Sequence, residues 1–157
     1  MARAYIGLGS NLGDREGNIR RALELIREMG VGEVKAVSAL IETEPVGGPP
    51  GQGPFLNGAA IVDTALSPHE LLDRLKEIEV RVGRVERDRW GAREVDLDIL
   101  FYGDEVIDTP RLQVPHARLA ERRFVLEPLV QIAPDKVHPV RKCTVSQLLA
   151  DMEGENK

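Results

Sequence analysis

From Glu94 to Phe101 the chain alternates with a period of two: Val95, Leu97, Ile99 and Phe101 are apolar, whereas Glu94, Asp96 and Asp98 are acidic. An extended strand with one face in a core and the other facing something polar accommodates this pattern. On such a strand Asp96 and Asp98 point the same way, about 6.6–6.8 Å apart. Two like charges that close repel unless a cation sits between them. Arg81, Arg84, Arg87, Arg89 and Arg93 crowd the segment just upstream. An acidic pair beside a basic loop suits a hard cation and a polyphosphate.

The remaining composition narrows the partners. At 157 residues the chain is long enough for one domain with a real core, and we expect a single domain over residues 1–157. A formal net charge of −5 argues against a general nucleic-acid or membrane binder. The basic charge is local, in 81–93 and again at Arg111, Arg118, Arg122 and Arg123. The single cysteine, Cys143, excludes an internal disulfide and a multi-cysteine zinc site, and it fits a reducing compartment. The N-terminus shows no long apolar run, so a cytoplasmic protein is expected.

Taken in order, residues 4–8 read as a buried strand ending in the glycine-rich turn Gly7-Leu8-Gly9-Ser10-Asn11-Leu12-Gly13-Asp14. The glycines are misplaced for a dinucleotide fingerprint, and no P-loop lysine follows, so this turn reads as structural. Ile19, Ala22, Leu23, Ile26 and Met29 recur at helical spacing. Residues 34–44 read as one strand, and 45–54 as a loop rich in Gly and Pro. Residues 55–62 read as another strand. Ser67 and Glu70 form a capping box opening a second helix, with Leu71, Leu72, Leu75, Ile78 and Val82 on its buried face. The Asp96/Asp98 strand follows. Strand, helix, strand, strand, helix, strand is the ferredoxin-like split βαβ order: an α+β fold in which both helices pack on one face of an antiparallel sheet. Asp96 and Asp98 belong on the open face. Beyond Tyr102, a small hairpin is expected within 106–114, then helices near 124–132 and 144–152.

With these residues in place, the chain resembles the 6-hydroxymethyl-7,8-dihydropterin pyrophosphokinase family over essentially its whole length. The resemblance rests on Arg89-Trp90-Gly91-Ala92-Arg93-Glu94-Val95-Asp96-Leu97-Asp98-Ile99-Leu100. It is supported by Gly9-Ser10-Asn11-Leu12-Gly13, Phe55-Leu56-Asn57 and Val114-Pro115-His116, with Arg122 and Phe124 completing the set. Gln113 and Ala117 depart from the better-known bacterial pattern.

The resemblance implies transfer of pyrophosphate from ATP to the hydroxymethyl group of a reduced pterin, releasing AMP. It implies two Mg²⁺ ions held by Asp96 and Asp98, with Arg84 and Arg93 neutralising phosphate charge. ATP contacts are implied at Lys76, Glu79, Arg89, Trp90, Ile99, Arg111, His116 and Arg122 as well. Pterin contacts are implied at Thr43, Val46, Gly47, Asn57, Trp90 and Asp96, with Phe55 and Phe124 as an aromatic sandwich. ATP and the pterin are then the partners, with neither nucleic acid nor membrane, and a monomer is expected. An RNA-binding module on the same fold would need aromatic residues on its central strands, where this chain puts two aspartates.

Overall fold

Strand β1 (Ala2–Ser10) runs through the middle of the molecule, burying Ala4, Ile6 and Leu8 along one face. It belongs to a computed structural model that describes residues 1–43, 54–83 and 94–155. Helix α1 (Arg15–Glu28) begins where the Asp14 carboxylate accepts the Gly17 N–H at 3.1 Å. A Cβ on Gly17 would meet that carboxylate, so a larger residue there would push the Asp14 side chain aside. Helix α2 (Pro68–Val82) starts at the expected capping box: Ser67 Oγ accepts from Glu70 N at 3.3 Å and Glu70 Oε1 from Ser67 N at 3.0 Å. Leu71, Leu75 and Ile78 bury its apolar face, each worth about 1.5–3 kcal/mol of transfer free energy.

Strands β2 (Glu33–Val37), β3 (Ile41–Thr43), β4 (Phe55–Thr64) and β5 (Asp96–Tyr102) complete the main sheet. The order is β2-β4-β1-β5, antiparallel throughout, with β3 also paired to β4. This is the ferredoxin-like arrangement. Two local expectations change. The single strand over 34–44 is instead two, because Ser38 takes over the ladder: its N–H donates to Ala59 O, and its Oγ accepts the Ala59 N–H, both at 2.9 Å. The Ala39 N–H then turns to Gln131 Oε1 at 2.8 Å.

The second change lies in β5. Ile6 pairs with Ile99 and Tyr5 with Phe101, which leaves Leu100 as an extra residue. Past this bulge the faces exchange. Phe101 therefore leaves the row of Leu97 and Ile99 and packs edge-on against Tyr5, with ring centroids 5.6 Å apart. Tyr102 takes the helix side instead, and its hydroxyl donates to Leu66 O at 2.6 Å.

The face opposite α1 and α2 is thus only half open. Ala59, Ile61, Leu100 and Phe101 pack there against a 3-10 turn (Leu119–Glu121), α3 (Arg123–Ile132) and α4 (Val145–Glu155). Thr144 and Gln147 cap α4 reciprocally, opening the helix expected near 144–152. His138 is buried beside Phe101, and its Nδ1 accepts the N–H groups of Val140 and Arg141 at 3.2 and 3.1 Å. The small hairpin is β6 (Ile107–Asp108) with β7 (Gln113–Val114). Among the described residues no helix is long and apolar enough to cross a membrane.

Candidate active site

The uncovered half of this face is a cleft of about 540 Å³. Its floor is β1, bare at Gly7 and Gly9. Gly9 pairs with Asn57 of β4 on one side and Asp96 of β5 on the other. A Cβ at Gly9 would stand 3.3 Å from Asn57 Oδ1 and 4.0 Å from Asp96 Cβ. The strand expected over 4–8 therefore runs on through Gly9 to Ser10, and the start of the turn that the sequence reads as structural is cleft floor. Two glycines two residues apart on a strand share a face, and that spacing is the signal for such a floor.

Asp96 and Asp98 both line the cleft, as their spacing predicts. Burial pushes the Asp98 carboxyl above its ordinary range and the neighbouring Asp96 charge adds to this, while His116, Lys76 and Arg122 pull the other way. Burial likewise lowers His116, although Asp98 opposes it. The His116 ring accepts the Arg118 N–H at Nδ1, 3.2 Å away, which assigns the proton of the neutral ring to Nε2. Its backbone N–H donates to Leu100 O at 3.0 Å, fixing the residue to the bulge of β5.

Across the cleft stand Phe55 at the start of β4 and Phe124 in the first turn of α3. The Arg122 guanidinium lies 5.6 Å from the centre of the Phe124 ring, within cation–π range. Asn57 is buried, and its Nδ2 donates to the Thr43 hydroxyl at 2.6 Å. That bond locks the amide plane at the cleft wall. Thr43 thus holds the amide through its side chain.

Eight of the expected residues meet in this cleft: Thr43, Phe55, Asn57, Asp96, Asp98, His116, Arg122 and Phe124. Four others do not line it. Ile99 buries its side chain against the helices. Glu79 accepts the Leu97 N–H at 2.8 Å and pairs with Lys76 at 3.3 Å, so it braces β5 from α2. Arg111 is held in an exposed ion pair with Asp73. Val46, Gly47, Arg84, Arg89, Trp90 and Arg93 lie outside the described residues. Arg118, Glu121 and Arg123 line the cleft without having been singled out as contacts. The clustering of Arg111, Arg118, Arg122 and Arg123 is the trace that the two arginines leave in the sequence, whereas Glu121 leaves none.

Among the described residues no group of three or more His, Cys, Asp or Glu could enclose a metal ion. A pair of carboxylates in an open cleft nevertheless fits Mg²⁺, which takes one or two carboxylates and completes its shell with water and phosphate oxygens. The raised Asp98 carboxyl and its like-charged neighbour are the imbalance such an ion relieves.

The profile of the 7,8-dihydro-6-hydroxymethylpterin-pyrophosphokinase (HPPK) family matches residues 5–134. The chain belongs to this family. It is 46% identical over 140 residues to the 2-amino-4-hydroxy-6-hydroxymethyldihydropteridine pyrophosphokinase of Aquifex aeolicus, spanning 89% of this chain and 86% of that one. The enzyme of the same description from Bacillus subtilis is 48% identical over 129 residues, 82% of this chain and 77% of its own. Among solved structures, the HPPK-DHPS protein of Plasmodium falciparum superposes with a TM-score of 0.78 over 96% of this chain and 45% of that chain. At 18% identity that likeness is one of fold.

Proposed function

We propose that this chain transfers pyrophosphate from ATP to the hydroxymethyl group of 6-hydroxymethyl-7,8-dihydropterin, a step of folate biosynthesis that releases AMP. Family membership supports the reaction. The observation that carries it to particular residues is one cleft shared by the carboxylates Asp96 and Asp98, the amide of Asn57 and the rings of Phe55 and Phe124.

The pterin is flat and edged with donors and acceptors, so it asks for aromatic faces and one fixed amide. Phe55 and Phe124 supply the faces. Asn57, oriented by Thr43, reads the edge, and Asp96 serves the hydroxymethyl end. Val46, Gly47 and Trp90 complete the pterin set. Asp96 and Asp98 would hold two Mg²⁺ ions, which when bound neutralise triphosphate charge and lower the pKa of the attacking hydroxyl.

Phosphoryl-type transfer needs alignment and charge compensation more than covalent help. His116 offers its Nε2–H to a phosphate oxygen as a neutral donor, and Arg122 adds a positive charge at the same rim. Because Arg122 also lies over Phe124, the nucleotide and pterin walls are mechanically joined. We assign Arg84, Arg89 and Arg93 to the triphosphate. Ile99 can act only through its main chain, and Lys76, Glu79 and Arg111 border the nucleotide side. The unit is a single domain over residues 1–157, acting as a cytoplasmic monomer, in keeping with its net charge of −5 and single cysteine.

A coupled assay with ATP, Mg²⁺ and the reduced pterin alcohol tests the reading. AMP should appear in step with the pterin diphosphate, and chelation should stop it. Release of ADP in place of AMP would sink the assignment.

A further inference from the structure

We infer that Arg15 is a positioning residue for the pterin wall, a role that rests on the pyrophosphokinase reading above. Its Nη1 donates to two acceptors at once, Glu42 Oε1 and the Pro54 carbonyl oxygen, both at 2.9 Å. These are the residues immediately before Thr43 and Phe55 in the chain. Thr43 and Phe55 face each other across the β3–β4 ladder. One guanidinium therefore ties the Glu42 side chain to the Pro54 main chain, each one residue before a residue of the pterin wall.

The base from which Arg15 reaches is rigid. Asp14 caps the first turn of α1, and Asn18 Nδ2 donates to Leu12 O at 2.8 Å across the turn that joins β1 to α1. That turn continues directly from the cleft floor at Gly9. Arg15 thus fixes the spacing between floor and wall, the distance into which a flat ring must fit. Both bonds leave from the one nitrogen Nη1, at the end of a side chain longer than that of lysine, so a lysine there keeps the charge but not the full reach.

Stability alone does not explain the arrangement, since exposed ion pairs contribute about 0–1 kcal/mol. A second pair on the same sheet separates the two roles. Arg3 binds Asp63 through Nε and Nη2 at 3.0 and 3.3 Å, joining β1 to β4 at the end away from the cleft. Neither residue adjoins a cleft-lining position.

The test measures KM for each substrate, kcat, Tm and direct binding of the pterin for wild type, Arg15→Ala, Arg15→Lys, Glu42→Gln and Arg3→Ala. Arg15→Ala should raise the pterin KM and Kd about tenfold. Its kcat and ATP KM should stay within about twofold of wild type. Arg15→Lys should recover part of the loss, Glu42→Gln should show a smaller rise, and Arg3→Ala should leave pterin binding unchanged at a similar Tm. An unchanged pterin Kd in Arg15→Ala, or an equal rise in Arg3→Ala, would overturn the inference. So would parallel losses in ATP KM and kcat. Wild type that binds the pterin yet forms no AMP would instead refute the reaction, and the binding comparison would still decide the role of Arg15.

Discussion

On the side of α1 and α2 the sheet shows a largely apolar row, Ala4, Ile6, Leu8, Ala60, Val62, Leu97 and Ile99 among them, and the two helices seal it. The other side of the same strands is divided. Ala59, Ile61, Leu100 and Phe101 clamp α3 and α4 at one end, whereas Gly7, Gly9, Asn57, Asp96 and Asp98 line a cleft at the other. The boundary is the bulge at Leu100, which adds Phe101 to the clamp and gives Leu100 O to His116. The contrast teaches how one small sheet gains both a core and a cleft. The sealed face supplies rigidity. The divided face uses half its area to hold a second layer whose first turn carries Arg122 and Phe124 to the cleft rim.

If the divided face is the chemical one, the largest effect comes from its carboxylates. Asp98→Ala should cut AMP formation by about 10³-fold or more, since a cation that engages only the transferring group supplies that scale of rate. The metal-free Asp98→Asn protein should melt about 2–4 °C above wild type, because a buried like charge has been removed, and Mg²⁺ should erase the difference. A lower Tm would mean that Asp98 is structural.

Core truncations come next. Leu75→Ala on the sealed face and Leu126→Ala on the divided face should each cost about 2–5 kcal/mol in denaturant titrations. Both variants should keep a single transition. A second transition in Leu126→Ala alone would mean that α3 and α4 melt as a separate layer. Phe124→Ala should be milder, raising the pterin KM about tenfold, or 1.4 kcal/mol, with ATP binding less affected. Equal losses for both substrates would show that Arg122 has moved with the ring.

The smallest effect concerns pH. Burial holds the His138 imidazole below its ordinary value. Its stabilisation is therefore present above about pH 6.5 and is lost as pH falls through the folded value, when a proton on Nδ1 displaces the Val140 and Arg141 N–H groups. Thermal melts from pH 7 to 5 should fall more steeply for wild type than for His138→Gln.

Much of this was written in periods. The 3.6-residue rows of α1 and α2, the Ser67/Glu70 box and the two-residue row around Asp96 and Asp98 each express one local rule, and together they order the sheet. The bulge escapes such reading because Ile99, Leu100 and Phe101 are all apolar, so a change of face leaves no mark in polarity. The break in the edge strand escapes it too, since a serine hydroxyl replaces a ladder bond only when Ala59 is opposite. Glu79 and Lys76 sit one helical turn apart like any surface pair. Their role at β5 follows from tertiary packing, which spacing does not encode.

That role reaches beyond the cleft. Strand β5 is an outermost strand of the sheet, and its outward Leu97 N–H is taken by the Glu79 carboxylate while Leu100 O is taken by the His116 amide. A foreign chain seeking to extend the sheet finds those docking points already filled. Bracing the Asp96/Asp98 strand from a neighbouring helix thereby also shields the protein from self-templated aggregation.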